Sequence, residues 1–235
     1  METIDLDSWD EFEDCLSSFF AQWNNLKKEK SSFQVSTPLF RGQSNAVWKL
    51  QTTLERFTDQ TFDSFDYYRT IRAVRPAVVS LTQKELNLPE FSEKMFFPVP
   101  TGYEFMVYLR HHGFPSPLLD WTRSPYVAAF FAFRSPRTLK DGRVAIYAYV
   151  EYPGEARGHL AGSPVVYGLG PYVETHKRHY AQQCEYTVCV KEVGDKREYC
   201  SHEAAFSDNA SDQGALKKYT LPTSERGKVL KTYNA

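Results

Sequence analysis

The stretch HHGFPSPLLDWTRSPYVAAFFAF, residues 111–133, decides most of what the sequence predicts about the fold. Residues 124–133 should form a helix, because Pro125 suits a first helical turn, where its missing N–H costs nothing. The run 127–132 is apolar on every side, which predicts a helix buried in the core. The polar cluster 120–124 leads directly into this helix, so we expect a cleft to meet the core at that point.

Outward from this stretch, the pattern predicts a compact single α+β domain over residues 1–235, with its core at about 35–191. The sheet should be mostly antiparallel, and a split sheet is compatible with the pattern. Pro76 should kink or divide one helix, which should turn Phe65, Tyr68 and Ile71 toward the core. The predicted helices span residues 8–25, 62–82 and 102–112, and the predicted strands span residues 33–40, 142–151 and 184–191. We also expect a loop at 86–101, a mobile loop at about 207–214 and a basic tail from Leu216.

Composition excludes some classes of protein. The chain of 235 residues has a net charge of −1, so no overall charge draws it toward nucleic acid. Its acidic start lacks the basic and apolar segments of a signal peptide, and no apolar run is long enough to span a bilayer. Four scattered cysteines fit a reducing compartment. We therefore expect a cytoplasmic protein without a membrane partner.

Arg41 is the first candidate functional residue. It ends a predicted apolar strand and precedes Gly42, so open backbone should surround it. An arginine there can place its planar fork of donors on a phosphate or a carboxylate. The competing interpretation is a structural salt bridge.

The start of the buried helix is the second candidate. Free N–H groups at a helix start bind anions, and Arg123 would add positive charge there. The competing interpretation is that Ser124 only caps the helix and Asp120 only forms a turn. That interpretation does not explain why polar groups lead directly into a buried helix.

The third candidate is the Q-x-E pattern of Gln183 and Glu185. Alternation along a strand places both side chains on one face, away from Tyr186 and Val188. An exposed strand face often carries such residues without a function. The spacing of the histidines and cysteines predicts no metal site, and the chain has no glycine-rich phosphate loop.

Several of these residues resemble the FRG-domain family. The residues Phe40-Arg41-Gly42 match the short motif that gives the family its name, and the stretch from His112 to Ala128 looks like its central signature. The outer elements of the resemblance are Trp48-Lys49-Leu50, Leu54-Glu55-Arg56, Arg178 and Gln182-Gln183. The resemblance covers most of residues 35–190 and implies a component of bacterial or phage defence.

Two departures from the family pattern bear on ligand binding. Ser116-Pro117 stands where the family commonly has Thr-Arg, which removes one positive charge. Cys184 stands where a glycine commonly follows the late glutamines.

The order Arg, Thr-x-Ser, Gln-x-Glu is also similar to that of arginine-type ADP-ribosyltransferases. This similarity implies an ADP-ribosyltransferase-like fold, NAD as cofactor, and NAD-dependent ADP-ribosyl transfer or NAD glycohydrolysis. Glu185, with Gln183 and Arg41, would be catalytic, because a fixed carboxylate stabilises the positive charge that develops on the sugar. The acceptor, a protein or a nucleic acid, stays open. The cofactor-binding residues that the similarity implies are Arg41, Gly42, Asp120, Trp121, Thr122, Ser124, Tyr126 and Arg178.

Two other functions compete with this one. The same cleft fits a non-catalytic module that binds a nucleotide or another phosphate ligand, in which Arg41 should matter and Glu185 should matter little. Alternatively, the domain is structural or binds proteins, and Arg41 and Asp120 form an internal ion pair whose loss should lower stability.

Overall fold

The computed structural model of the chain describes residues 1–31, 33–92, 99–135, 142–155, 157, 162–173, 177–208 and 213–232. The strands are β1 (Glu2–Asp5), β2 (Leu39–Gln43), β3 (Leu118–Thr122), β4 (Arg143–Val150), β5 (Val165–Gly168), β6 (Cys184–Val193), β7 (Lys196–Tyr199) and β8 (Ala215–Pro222). The helices are α1 (Trp9–Glu29), α2 (Thr53–Phe57), α3 (Ser64–Thr82), α4 (Tyr103–His111), α5 (Pro125–Phe133), α6 (Lys177–Ala181), α7 (His202–Asp208) and α8 (Arg226–Thr232). This is a mixed α+β fold, as the sequence predicts.

All of these strands join one sheet. Its order is β1-β8-β4-β2-β3-β6-β5, and β7 pairs with β6. Every pairing is antiparallel except that of β1 with β8. The two halves of the sheet meet at β2 and β3, which share a single register pair, Phe40 with Thr122. We call this weakly paired boundary the seam.

Helices cover one face of the sheet on both sides of the seam. Paired residues lie on the same face, so the register places Ala148, Phe40, Thr122 and Cys184 on a common face. On the β4–β8 side of the seam, α1 and α5 pack on this face around Phe40 and Ala128. On the β3–β6 side, α3 and α4 form a second core on the same face. The seam therefore lies in the valley between two helix-covered cores.

The opposite face has a third core, which contains Trp121 from β3, Tyr147 and Tyr149 from β4, and Phe206 from α7. The central strands are therefore buried on both faces. Burial on both sides explains why β4 is apolar along most of its length, with Val144 to Val150 all buried.

Five predicted elements are confirmed with small changes at their ends. The N-terminal helix begins after Ser8, whose Oγ accepts a hydrogen bond from the backbone N–H of Glu11 at 3.3 Å. The buried helix begins after Ser124 with Pro125 in its first turn, as predicted. The other confirmed elements are α4, β4 and β6.

The predicted strand 33–40 is wrong in its position. Strand β2 begins at Leu39 and continues through Arg41 and Gly42 to Gln43, so Arg41 lies inside a strand and not at its end. Upstream of it, Val35 forms only an isolated bridge. Pro38 immediately before β2 has no N–H for a ladder, which explains the late start.

The helix predicted at 62–82 is confirmed as α3, but Pro76 does not divide it. Pro76 and Arg72 are both exposed, so this turn of α3 lies at the surface, where water can satisfy the carbonyl that the proline leaves without a partner. Phe65, predicted to face the core, is exposed, and Tyr67 is buried in its place beside Ile71.

The described residues after residue 200 include a helix and a strand that the sequence did not predict. Residues 207–208 end α7, and Gln213 is buried, with its side chain bonded to the backbone of Val166 and Pro164 at 2.8 Å each; residues 209–212 lie outside the described residues. The predicted basic tail is instead strand β8, which pairs with both β1 and β4. The lysines of β8 interrupt its apolar pattern in the sequence, so the strand was not predicted. Its apolar residues Leu216, Tyr219 and Leu221 pack in the cores.

Candidate functional site

A cleft of about 820 Å³ opens at the seam between the two helix-covered cores. Its walls come from β2, β3 and the start of β6, and from residues of α2, α4 and α5. Because β2 and β3 pair only at Phe40 and Thr122, the strands beyond that pair leave room for the cleft. Of the predicted site residues, Arg41, Gly42, Asp120, Trp121 and Thr122 border it.

Two arginines hold the carboxylate of Asp120. Arg41 donates from Nη1 to Asp120 Oδ1 at 2.5 Å and to the Asp120 carbonyl oxygen at 2.8 Å. Arg110, on α4, donates from Nη2 to the same Oδ1. Arg41 and Arg110 are largely buried, whereas Asp120 keeps 46% of its side chain exposed to the cleft. The Arg41–Asp120 ion pair expected by the structural interpretation is therefore present.

Basic side chains outnumber acidic ones around the cleft. Among the described residues that border it, Asp120 is the one carboxylate. Glu55, the acidic neighbour of Arg56, accepts instead from the backbone N–H of Thr52 at 2.7 Å in a helix cap. The basic residues are Arg41, Lys49, Arg56, Arg110 and Arg134. Five cations and one carboxylate leave an excess of positive charge.

The pKa values of neighbouring groups register this excess. Arg56 is exposed to solvent on one side, but its partial desolvation lowers its pKa, and the charges of Arg41 and Arg110 lower that pKa further. Desolvation works to raise the pKa of Asp120, but Arg110 and Arg41 outweigh it and hold that pKa well below its usual range. Burial, followed by the charge of Arg41, lowers the pKa of His202 to about 3. The cations of the cleft thus act in the same direction on groups on both faces of the sheet.

Gly42 is required by packing. A Cβ atom at this position would come within 1.9 Å of the backbone oxygen of Ala128 on α5. The glycine therefore lets α5 lie directly against β2. This close contact accounts for the glycine of the Phe-Arg-Gly motif without a ligand.

Trp121 and Thr122 border the cleft but have structural partners. The indole Nε1 of Trp121 donates to Thr187 Oγ1 at 2.8 Å, and its ring packs on Tyr149 on the opposite face. Thr122 Oγ1 donates to the backbone oxygen of Gln182 at 2.7 Å. Thr122 thereby joins the end of β3 to the turn before β6.

Ser124 and Tyr126 are not among the described residues that border the cleft. The hydroxyl of Ser124 accepts from the backbone N–H of Val127 at 3.3 Å, which is the capping role. Tyr126 is exposed, and its ring centroid lies 6.3 Å from that of Trp9. Arg178 belongs to α6, and its side chain lies outside the described part of the structure.

Gln183 and Glu185 are also absent from the described lining of the cleft. Gln183 is exposed in a turn with φ 49°. Glu185 is buried and bonds to Nε of Arg123, on the strand face opposite to Cys184 and Tyr186. The assignment of Glu185 as the catalytic carboxylate stays a prediction.

Several cleft residues were not assigned a role from the sequence. Trp48 and Arg56 belonged to the family resemblance, so that signal was available. Arg110 gave no such signal, because its partner Asp120 is on another element. His111 and Tyr186 also border the cleft, and their hydroxyl–imidazole contact of 2.9 Å joins residues 75 positions apart.

Among the described residues that border the cleft, Cys184 is the one cysteine. Burial raises the pKa of Cys184 to about 12, so this cleft residue stays a thiol at neutral pH. Within the described ranges, no cluster of His, Cys, Asp or Glu side chains is arranged to hold a metal ion. Within the same ranges, every helix is too short or too polar to span a bilayer.

Comparison with known proteins gives one match. The model of the FRG domain matches residues 36–141, which include β2, β3, α5 and most of the cleft lining. No curated protein matches the chain. No solved structure matches it either.

Proposed function

Residues 36–141 belong to the FRG domain family, and from this premise we propose that the cleft at the seam binds a phosphate-bearing nucleotide, with NAD as the first ligand to test. The observation that carries the proposal is the set of five basic side chains around the single carboxylate of Asp120. Asp120 balances only part of that charge, so an external anion would be bound favourably. Arginine forks suit phosphate oxygens in particular.

Two further features favour a nucleotide over inorganic phosphate. Trp48 borders the cleft with 54% of its surface exposed, and Phe131 lies on the α5 wall. Exposed aromatic faces stack on bases. The volume of about 820 Å³ also lies within the range of small-molecule sites, roughly 300–1,000 Å³.

ADP-ribosyl transfer or NAD hydrolysis is the second candidate function. The observation that favours it is that β2, β3 and β6 are consecutive in the sheet, so Arg41, Thr122 and Glu185 lie on neighbouring strands. Catalysis would require the Glu185 carboxylate to leave Arg123 and reach the ribose, where it would stabilise the positive charge. Binding therefore stands first and chemistry second.

A structural role is the third candidate, because Arg41 and Asp120 do form an ion pair. Under this interpretation Arg41→Ala lowers stability and no nucleotide binds. Since half of Asp120 is exposed, loss of the pair should cost less than a fully buried one, about 1–2 kcal/mol.

Titration calorimetry separates these functions. The wild-type chain is titrated with NAD, ADP-ribose and ATP, and Arg41→Ala should weaken binding about 100-fold. The matched control is Arg72→Ala, an exposed arginine on α3 that does not border the cleft. Absence of saturable binding of all three nucleotides to the wild type would end the proposal.

Labelled NAD separates binding from chemistry. If the chain is an enzyme, nicotinamide release or label transfer should fall on the order of 10²–10³-fold in Glu185→Gln, while NAD affinity is kept. A wild type that binds NAD without releasing nicotinamide would leave the binding module as the function.

A further inference from the structure

Two imidazoles and one phenol, joined by hydrogen bonds, form part of the cleft wall. We call His111, Tyr186 and His179 the His–Tyr–His triad. The hydroxyl of Tyr186 lies 2.9 Å from His111 Nε2 and 3.2 Å from His179 Nδ1. His111 and Tyr186 border the cleft, whereas His179 is buried and stacks on the Tyr186 ring. Elements α4, β6 and α6 thus converge on one hydroxyl.

The chemistry of these groups allows the His–Tyr–His triad to accept one proton. A neutral imidazole has one donor nitrogen and one acceptor nitrogen, and a phenol has a single O–H donor. The Tyr186 hydroxyl can donate to one ring only, so the other ring must donate to the phenol oxygen. If the accepting ring is protonated, the oxygen can accept from both rings, and neither hydrogen bond is lost.

The His–Tyr–His triad has positively and negatively charged groups near it. Arg110 on α4 and Asp120 on β3 border the same cleft, and Tyr103 and Cys184 are further titratable groups, among the described residues, that act on Tyr186. Burial raises the pKa values of Tyr186 and Tyr103 above their usual range, so both stay neutral at physiological pH. Cys184 also stays neutral. Tyr186, Tyr103 and Cys184 therefore carry no charge at neutral pH, and imidazole is the side-chain group whose ordinary range of proton exchange lies there.

We propose that the His–Tyr–His triad is a further anion-binding element of the cleft and that it takes up one proton when a phosphate-bearing nucleotide binds. This rests on the proposed function of the cleft. A bound anion places negative charge beside the His–Tyr–His triad, and this opposite charge favours the imidazolium form. Affinity should therefore rise as pH falls through the range in which histidine titrates.

Calorimetry with ADP-ribose tests the proposal, because its pyrophosphate does not change charge near neutral pH. Between about pH 8 and pH 5.5 the wild-type dissociation constant should fall about tenfold, and buffers of different ionisation enthalpy should reveal proton uptake. Tyr186→Phe removes the central hydroxyl and should flatten the pH dependence. The matched control is His112→Gln, an exposed neighbour whose ring lies tilted against Tyr108; this variant should keep the pH dependence.

The outcomes separate this inference from the proposed function. Absence of ADP-ribose binding at every pH contradicts both. Binding whose affinity does not change with pH, or a pH dependence that survives in Tyr186→Phe, overturns the proton-uptake proposal alone. Near-ultraviolet circular dichroism of Tyr186→Phe establishes that the variant is folded.

A second, independent observation concerns two cysteines on the other side of the sheet. Cys189 Sγ lies 3.4 Å from Cys200 Sγ, and both are free thiols. The register that pairs Val190 with Tyr199 continues to this pair, since Cys200 N donates to the Cys189 carbonyl oxygen at 3.0 Å. Facing residues of antiparallel strands have Cα atoms about 4.5–5.5 Å apart, a distance that a disulfide can span.

Access to this pair is one-sided. Cys189 is buried, whereas Cys200 is half-buried and borders a groove of about 600 Å³ beside α2. The hydrogen bond to Cys200, and then burial, raise the pKa of Cys189. An external oxidant would therefore meet Cys200 first.

We infer that Cys189 and Cys200 form a reversible disulfide when the chain meets a small-molecule disulfide such as oxidised glutathione. The Cys200 thiolate attacks one glutathione sulfur and releases one glutathione thiolate. Cys189, after losing its proton to solvent, then attacks Cys200 Sγ and releases the second glutathione. Two protein thiols are oxidised, and one glutathione disulfide is reduced to two thiols.

The inference is tested by oxidising the native chain, unfolding it in acid to stop exchange, and then counting its thiols. Oxidised glutathione should lower the number of alkylatable cysteines from four to two, with peptide mapping that joins Cys189 to Cys200. Cys189→Ser and Cys200→Ser should each prevent the crosslink, and the control Cys15→Ser should retain it. Four thiols that survive oxidation, a stable glutathione adduct alone, or a crosslink between other cysteines would overturn it.

Discussion

Two arginine–carboxylate clusters in this chain are built from the same groups but differ in balance. At the seam, Arg41 and Arg110 share one oxygen of Asp120, which is half exposed to the cleft. On the opposite face, Arg157 Nη2 bonds to Glu151 Oε1 at 2.7 Å, and both side chains are largely buried. The first cluster has more cations than anions, and the second is matched one to one.

The pKa values of the two carboxylates differ in the same way. The pKa of Asp120 is held below its usual range by two arginines. Burial raises the pKa of Glu151, and the single Arg157 does not fully reverse the effect. A matched, buried pair has no charge left for a ligand, whereas an open cluster with excess cations does. This difference is why we assign ligand binding to the seam and a structural role to Arg157.

The largest expected effect is on the matched pair. Arg157→Ala leaves the buried Glu151 without its cation, which should lower the free energy of unfolding by about 3–5 kcal/mol. Chemical denaturation measures this change. Nucleotide affinity of the folded fraction should stay that of the wild type, and a loss of affinity without a loss of stability would contradict the assignment.

Gly42→Ala should have the next largest effect, because its new Cβ would overlap the Ala128 backbone oxygen. Overpacking of this kind costs about 1–3 kcal/mol, and it should also disturb the cleft wall. Gly227→Ala is the matched control, since nothing lies within 4 Å of its Cβ position in α8. Thermal melts should show opposite signs, because alanine is the better helix residue.

Arg56→Ala tests whether the excess positive charge contributes to nucleotide binding, because Arg56 borders the cleft but does not bond to Asp120. Its loss should weaken ADP-ribose binding about tenfold and leave stability nearly unchanged, since the side chain is exposed. Calorimetry at two salt concentrations should also show a shallower salt dependence than in the wild type. An unchanged affinity and salt slope would show that the excess charge has no role in binding.

The smallest expected effect is on the pKa of His202, which the charge of Arg41 lowers from across the sheet. Its folded-state pKa of about 3 lies below the unfolded value of about 6.5, so the stability that it contributes is present above pH 6.5 and is lost as pH falls toward 3. Arg41→Ala should raise this pKa, because one lowering charge is removed. Histidine NMR titration measures it, and Arg157→Ala should leave it unchanged.

The elements that were predictable from the sequence have strong local signals. Helix α5 combines Ser124, Pro125 and an all-apolar run, and β6 has clear alternation. Strand β8 was missed because Lys217 and Lys218 interrupt its apolar pattern, yet pairing with two neighbours overrides that local signal. Pairing partners far apart in sequence leave no local trace.

The candidate site was only partly predictable for the same reason. Arg41 and Asp120 were identified, because each stands out beside an apolar segment. The excess of cations arises only when α2 and α4 bring Arg56 and Arg110 to the seam, and no spacing in the sequence encodes that convergence. The Q-x-E pattern predicted one face for Gln183 and Glu185, but the positive φ of Gln183 places it in the turn before β6.

The most direct test is the structure of the chain crystallised with saturating ADP-ribose. Our account predicts the pyrophosphate at the seam, with its oxygens about 2.7–2.9 Å from guanidinium nitrogens of Arg41 or Arg56 and the adenine near Trp48. A nucleotide bound on another surface, or an empty cleft in crystals grown with saturating ligand, would contradict it.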